Sequence, residues 1–169
     1  MKNFINEVGK YISKHKVLYY ILNFTWGLPL TIVGYFLMLV LSPWAKIKKY
    51  GYIYYIEIQS NASWGLSMGT TFITGLRGSS SYGLKEHEFG HTVQNAIFGP
   101  FMIFIVSIPS FIRCNYRSFI RTINPNLVKG AYYDIWFEST ASTIGEWYES
   151  IRYIMADVKT TKEAMNRFK

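Results

Sequence analysis

The feature that most constrains this chain is an uncharged apolar run from Val17 to Ser42. Its 26 residues would form a helix of about 39 Å, which is long enough to cross the hydrocarbon core of a bilayer, about 30 Å thick. Pro29 lies inside the run. A proline either kinks a spanning helix or divides it into two shorter pieces that dip into the membrane and return. We therefore predict membrane-inserted helices here, in preference to a buried helix of a soluble protein.

Two further segments favour a membrane. Residues 1–16 carry an apolar stripe at helical spacing, which predicts an amphipathic helix lying in the membrane interface. The apolar stretch Phe101–Ile112 is too short to span comfortably and contains Pro109; we expect it to be helical and lipid-facing. The stripe near the N-terminus consists of Phe4, Ile5, Val8, Tyr11 and Ile12.

Composition and charge agree with a membrane protein. Half of the 169 residues are hydrophobic, 17% are charged and the net charge is +8. The basic residues flank apolar segments instead of forming one tract, a pattern that suits anionic lipid headgroups. No nucleic-acid-binding motif accompanies them, so nucleic acid is not an expected partner. They cluster at positions 10–16 and 46–49 and recur at Arg113, Arg117 and Arg121.

The length fits one compact unit. Within it we distinguish N-terminal membrane helices in residues 1–50 from a metal-binding domain in residues 51–169. Lysines lie on both sides of the first apolar run, so the positive-inside rule predicts no orientation. The oligomeric state is left open by the sequence.

Residues 87–91 read His-Glu-Phe-Gly-His. Positions i and i+4 of an α-helix lie on one face, so the two imidazoles can reach one metal ion with Glu88 beside it. A proline-free segment, Lys85–Ile97, predicts the helix, and Gly99-Pro100 predicts its end. The N-cap is expected among Ser79, Ser80 and Ser81.

A catalytic zinc site usually has three protein ligands, so one more is required. Cys114 is the only cysteine; it follows an apolar stretch and is predicted to be a buried thiol without a role. His15 is separated from the motif by the apolar run. A carboxylate is therefore expected, and the predicted helix Ala131–Asp157 offers Asp134, Glu138, Glu146 and Glu149.

Glu138 is the preferred third ligand. An unpaired carboxylate is costly to bury among apolar neighbours, and a metal partner would account for one there. Its helix face also carries Ser142 and Gly145, which would allow a close approach to the histidine helix. Glu149 shares this face and is the second choice. The apolar neighbours are Trp136, Phe137 and Ala141.

Two strands are predicted between the apolar run and the motif. Residues 52–58 and 70–74 are rich in β-branched and aromatic residues. An edge near Met68–Thr74 would let an extended peptide pair its backbone with the protein.

The motif resembles that of the gluzincin metallopeptidases, in which a later helix supplies a glutamate in an E-x-x-A setting, here Glu138 to Ala141. The chain is also similar to small bacterial membrane-associated proteins with WGLSMGTTFITG-, LKEHEFGHTVQ- and YYDIWFESTAS-like stretches, over about Pro29 to Gly145. The resemblance implies a mainly helical α+β, zincin-like fold with a short β-hairpin or small sheet. It also implies one zinc ion on His87, His91 and Glu138, and a membrane-associated peptidase that cleaves peptides or proteins with Glu88 as general base.

One position departs from that pattern, which tends to place an aspartate four residues after the third ligand, where this chain has Ser142. In gluzincins that aspartate orients a ligand histidine; a serine can accept the same hydrogen bond without the charge, which would lower metal affinity or activity.

Two alternatives to the peptidase stay open: a non-catalytic, immunity-type membrane module on the same fold, and a metal-free polar helix contact. The intact Glu88 favours the enzyme, because a structural zinc site needs no general base.

Overall fold

The computed structural model describes residues 1–76, 83–128 and 130–167. It is mainly helical with one four-stranded sheet, which confirms the predicted α+β class. Short 3₁₀ turns cover Gly99–Phe101, Pro125–Leu127 and Tyr132–Asp134, and a π-helical turn covers Ile103–Ser107. The main elements are α1 (Lys2–Lys14), α2 (Lys16–Phe24), α3 (Leu28–Leu41), β1 (Lys46–Tyr50), β2 (Ile53–Gln59), β3 (Trp64–Met68), β4 (Thr71–Leu76), α4 (Leu84–Phe98), α5 (Ile108–Ile123) and α6 (Trp136–Arg167).

The first apolar run forms two helices, α2 and α3, which meet at an angle of 95°. The run is divided as Pro29 predicted, although the break itself lies at residues 25–27. Pro29 occupies the first turn of α3, where its missing N–H would have no helical partner in any case.

The second apolar stretch is helical, as expected, and turns by 116° between Leu84–Phe101 and Ile103–Ile123. None of the residues of α5 is buried. Cys114 is exposed, so the prediction of a buried thiol was wrong, because the helix that carries it packs few side chains against the protein. Among the described residues, no single helix has both the length and the apolar composition to cross a membrane; each of the two bent pairs satisfies those criteria only jointly.

The sheet has four strands in the order β1-β2-β4-β3, with β2 and β4 parallel and the outer pairs antiparallel. The sequence predicted only two. The expected edge at Met68–Thr74 was also wrong, because Gly69, with φ 61°, turns the chain between β3 and β4. β4 is central and wholly buried, so the edge strand on this side of the sheet is β3.

The main core lies between the sheet and helices α1, α2, α4 and α6. Helix α1 forms as predicted, but its apolar residues face two environments: Ile5 and Ile12 are buried, whereas Phe4 and Tyr11 are exposed. The core members are Ile12, Tyr19, Tyr50, Ile53, Tyr55, Phe72, Phe89, Val93, Ala96, Ile144 and Tyr148.

Helices α4 and α6 cross at very short range. A Cβ at Gly90 would overlap the carbonyl of Ala141, and one at Gly145 would overlap the carbonyl of Glu86. Only glycine permits these two backbone contacts. The crossing fixes the position of everything on the facing sides of both helices.

The ends of these helices differ in part from expectation. Helix α4 follows Gly83, which has φ 77°; the expected N-caps Ser79, Ser80 and Ser81 lie outside the described residues. Helix α6 begins at Trp136, not at Ala131. The preceding residues form a 3₁₀ turn in which the Asp134 carboxylate accepts a 2.6 Å hydrogen bond from the Ala131 amide.

Candidate metal centre

Three buried side chains converge where α4 and α6 cross. The Nε2 atoms of His87 and His91 are 3.1 Å apart, and Oε2 of Glu138 lies 3.0 Å from the first and 3.3 Å from the second. The Glu138 side chain is completely buried and the histidines nearly so. The group has the composition and proximity to hold a metal ion.

The triangle has the size that a zinc site requires. Bonds of about 2.0–2.1 Å in a tetrahedral arrangement place neighbouring ligand atoms about 3.3 Å apart. Two imidazole nitrogens and one carboxylate oxygen also form a donor set that is common for catalytic zinc. The residues therefore fit the metal.

The outer nitrogen of each imidazole has a neutral partner. Nδ1 of His87 lies 2.9 Å from the Ser142 hydroxyl, and Nδ1 of His91 lies 2.8 Å from Oε1 of Gln94. The Gln94 amide is itself oriented, since its Nε2 donates to the carbonyl of Phe137 and to Thr140 Oγ1, each at 2.7 Å. These partners hold both Nε2 atoms toward the centre of the triangle.

The second oxygen of Glu138 is held by hydroxyl groups. Oε1 accepts hydrogen bonds from Ser110 on α5 and, at 3.2 Å, from Tyr132. Oε2 is left facing the histidines. The carboxylate is thus oriented to offer one oxygen, as a monodentate ligand does.

Charge and burial compete at this site. Burial raises the pKa of the Glu138 carboxyl, but the hydrogen bonds with His87 and His91 together outweigh it and bring the pKa well below its usual range. Burial lowers the pKa of His91, while the carboxylates of Glu138 and Glu88 raise it, with a net increase. The site therefore keeps an ionised carboxylate beside the imidazoles.

Glu88 lies next to this triangle and is 5% exposed. Ser67 of β3 places its hydroxyl 2.5 Å from Glu88 Oε2 and 2.7 Å from the Glu88 carbonyl oxygen. A Cβ at Gly65 would overlap the same carboxylate, so this glycine lets the side chain lie directly against the strand. Glu88 is therefore held between α4 and the sheet edge.

Two tyrosines border the site in different ways. The Tyr132 hydroxyl is engaged with Glu138 and lies 2.9 Å from Ser110 Oγ. The Tyr133 ring packs edge-on against His87 at 4.8 Å between centroids and is about half exposed. Burial, followed by the Glu88 and Glu138 carboxylates, raises the pKa of Tyr133, so its phenol stays protonated at neutral pH.

The other candidate carboxylates lie elsewhere. Glu149 accepts from the Tyr50 hydroxyl at 2.6 Å and pairs with Arg152 at 2.7 Å, so the second choice for the third ligand has a structural role instead. Glu146 is exposed, and Asp134 caps the turn before α6.

Several residues that shape the site were not identified from the sequence. Gln94 stands three residues after His91 on the same helix face, a spacing that could have marked it. Ser67 and Ser110 come from other elements, and nothing near them in the sequence indicates the contact. Gly65 and Gly90 were missed because the need for glycine appears only when two elements meet.

No protein-family profile, curated protein or solved structure matches this chain. The function of this chain is therefore inferred from the geometry of its site.

Proposed function

We propose that this protein is a membrane-associated, zinc-dependent peptidase in which His87, His91 and Glu138 hold one zinc ion and Glu88 is the general base. The observation that carries the proposal is the buried triangle of two imidazoles and a carboxylate, with a further glutamate fixed beside it. Zinc in such a site lowers the pKa of a water molecule and polarises a substrate carbonyl.

Glu88 supplies the proton transfers. Its position next to the first histidine places it beside the triangle without making it a fourth ligand. The Ser67 hydroxyl donates to this carboxylate and ties it to β3. As general base, Glu88 would accept a proton from the attacking water and then deliver it to the leaving amine.

The edge strand β3 suits a peptide or protein substrate. It is the outer strand next to the site, and Ser67 joins it directly to Glu88. An extended peptide that pairs with this edge would pass the general base. Tyr133 is better placed than Tyr132 to donate to a developing oxyanion, because the Tyr132 hydroxyl is already engaged.

The membrane part of the proposal rests on exposed apolar side chains. In α3, Ile32, Phe36 and Leu39 are each more than half exposed, as are Phe111, Ile112 and Phe119 in α5. Soluble proteins rarely expose contiguous apolar faces of this kind, and basic residues border them.

The test replaces Glu88 by Gln in detergent-purified protein. Because Glu88 is not a ligand, Glu88→Gln should retain stoichiometric zinc by elemental analysis while cleavage of peptides falls by about 10²–10⁴-fold. Glu146→Gln, on the exposed face of α6, is the matched control and should leave both unchanged. Peptide libraries that include membrane-proximal sequences, and self-cleavage during expression, supply the substrates.

A non-catalytic, immunity-type module is the second candidate. It is favoured by the neutral Ser142 partner of His87, where a carboxylate would strengthen the metal site. Zinc retained in wild type and in Glu88→Gln, with no difference in any cleavage assay, would select this alternative. Wild type that holds no more metal than His87→Ala would exclude both zinc proposals and leave a polar helix contact.

A further inference from the structure

The first apolar run leaves and rejoins one folded body. Ser13 precedes the run and Tyr52 follows it, and the Tyr52 hydroxyl donates to the Ser13 carbonyl at 3.0 Å. The Tyr20 hydroxyl also donates to the Tyr52 carbonyl at 2.6 Å. Ile12 and Ile53 belong to the same core. Both ends of the run are therefore fixed at one place.

The second apolar stretch also has both of its ends fixed at one place. It lies between α4 and α6, whose facing residues are in direct contact before and after it. Gln94 donates to the carbonyl of Phe137 at 2.7 Å, and Glu138 lies 3.3 Å from His91. The helices that flank this segment, α4 and α6, therefore hold its two ends together, with the rings of Phe98 and Trp136 6.1 Å apart, and Ser110 within the segment also contacts Glu138.

The first bend is tied to helix α4. Nδ2 of Asn95, on α4, donates to Oδ1 of Asn23 at 2.7 Å and to the carbonyl of Gly27 at 3.1 Å. Trp26 Nε1 donates to the carbonyl of Ile97 at 3.4 Å. Asn23 and Asn95 are buried, so straightening the first bend would separate these amides and leave them without partners, which costs about 1–3 kcal/mol for each group.

The helices beyond the bends have the length and surface for shallow insertion. The 14 residues of α3 measure about 21 Å, less than the hydrocarbon core of about 30 Å. Trp26, in the break just before α3, contacts Phe101 at the start of the second apolar stretch, with ring centroids 6.0 Å apart. Exposed Lys46 and Lys49 follow α3, and exposed Arg121 lies near the end of α5.

We propose that both apolar segments dip into the same face of an anionic lipid bilayer and return, so that α1, the sheet, the metal centre and α6 all lie on the side of entry. The anionic bilayer is chosen as the occupant because basic residues border the apolar faces and complement its charge. This inference rests on the proposed membrane association and is independent of catalysis.

Cysteine labelling tests the topology in the full chain. Cys114 is the only cysteine, so Cys114→Ser provides a background for three exposed sites: Glu7→Cys before the first run, Ala62→Cys between the runs and Ser150→Cys after the second. A membrane-impermeant maleimide is applied to right-side-out and inside-out vesicles from expressing cells. All three sites should label in one preparation and be protected in the other, and all should label after lysis.

Opposite labelling of Glu7→Cys and Ala62→Cys would show that the first run crosses the membrane; opposite labelling of Ala62→Cys and Ser150→Cys would show the same for the second. Either result overturns the inference and leaves the membrane association intact.

A second experiment tests the lipid partner. Purified protein is floated with phosphatidylglycerol-containing vesicles, with pure phosphatidylcholine vesicles for comparison. Flotation should be greater with the anionic lipid. Failure to float with either kind of vesicle, together with a stable oligomer that covers the apolar faces, would overturn both the membrane association and the proposed topology of the two segments.

Discussion

Helices α4 and α5 have almost the same length and are nearly consecutive in the chain, yet their surfaces are inverted. α4 buries polar side chains, among them His87, Glu88, His91, Gln94 and Asn95. α5 buries none of its residues and exposes Phe111, Ile112 and Phe119. Buried polar groups are retained when they have partners or a ligand, and exposed apolar groups when another surface covers them. The first helix thus carries side chains that could hold a metal ion, and the second leaves an apolar face for another surface to cover.

The largest expected effect is at the third ligand. Glu138→Gln should weaken zinc binding by more than about 100-fold, beyond the 10–100-fold cost of losing a residue that only orients a ligand. Competition with a chelator measures the affinity. Glu149→Gln is the matched control on α6 and should bind zinc like wild type. Equal zinc affinity in Glu138→Gln and wild type would remove Glu138 from the ligand set.

Gly90→Ala should destabilise the protein by about 1–3 kcal/mol, because the added Cβ overlaps the Ala141 backbone and overpacks the helix crossing. At an exposed helix position a change from glycine to alanine raises the free energy of unfolding by about 1 kcal/mol. The sign of the change at position 90 therefore shows whether the close contact with Ala141 exists. Chemical denaturation in detergent measures it. Ser118→Ala on exposed α5 should stay within about 0.5 kcal/mol of wild type. A stabilised Gly90→Ala variant would mean that α4 and α6 do not cross this closely.

Ser142→Ala should lower zinc affinity by about 10-fold, since the His87 ring loses the hydroxyl that orients it. Ser142→Asp should raise the affinity above that of wild type, because a carboxylate makes a stronger hydrogen bond to the same nitrogen. Thr143→Ala, whose hydroxyl bonds the Ser139 carbonyl instead, controls for the loss of a hydroxyl on α6. Identical affinities across the series would show that this contact has no influence on the metal.

The smallest effect is expected on α5, the helix proposed to face lipid. Phe111→Ser removes an apolar side chain that is 71% exposed, so unfolding in detergent should change by no more than about 0.5 kcal/mol. Vesicle binding should fall by about 10-fold, which corresponds to 1.4 kcal/mol of lost apolar burial. Ser118→Ala is again the control, and flotation is the assay. A variant that loses stability but not vesicle binding would assign Phe111 to the protein core.

The same contrast explains what could be predicted from the sequence. The spacing of His87 and His91, the proline in the first apolar run and the apolar setting of Glu138 are local features, and each predicted a local arrangement that the structure contains, although the break in the run precedes Pro29. Glu138 could be preferred over Glu149 because the apolar residues that surround it in the sequence lie next to it on α6.

Other features depend on contacts between distant segments. β1 is a short, lysine-rich edge strand whose pairing with β2, not its composition, makes it a strand. Gly69 divided a segment whose β-propensity is continuous. The Ser110 contact with Glu138 joins residues 28 positions apart, and it forms only because the start of α5 lies against α6.

Ser110 also has a thermodynamic consequence. It belongs to the exposed helix, yet its hydroxyl donates to the carboxylate that completes the metal triangle. If zinc and a surface both bind as proposed, a surface that shifts α5 would alter the affinity for zinc, and linkage would require zinc to alter the affinity for that surface by the same factor. The occupancy of the ion and the attachment of the protein would then be two readouts of a single coupling free energy.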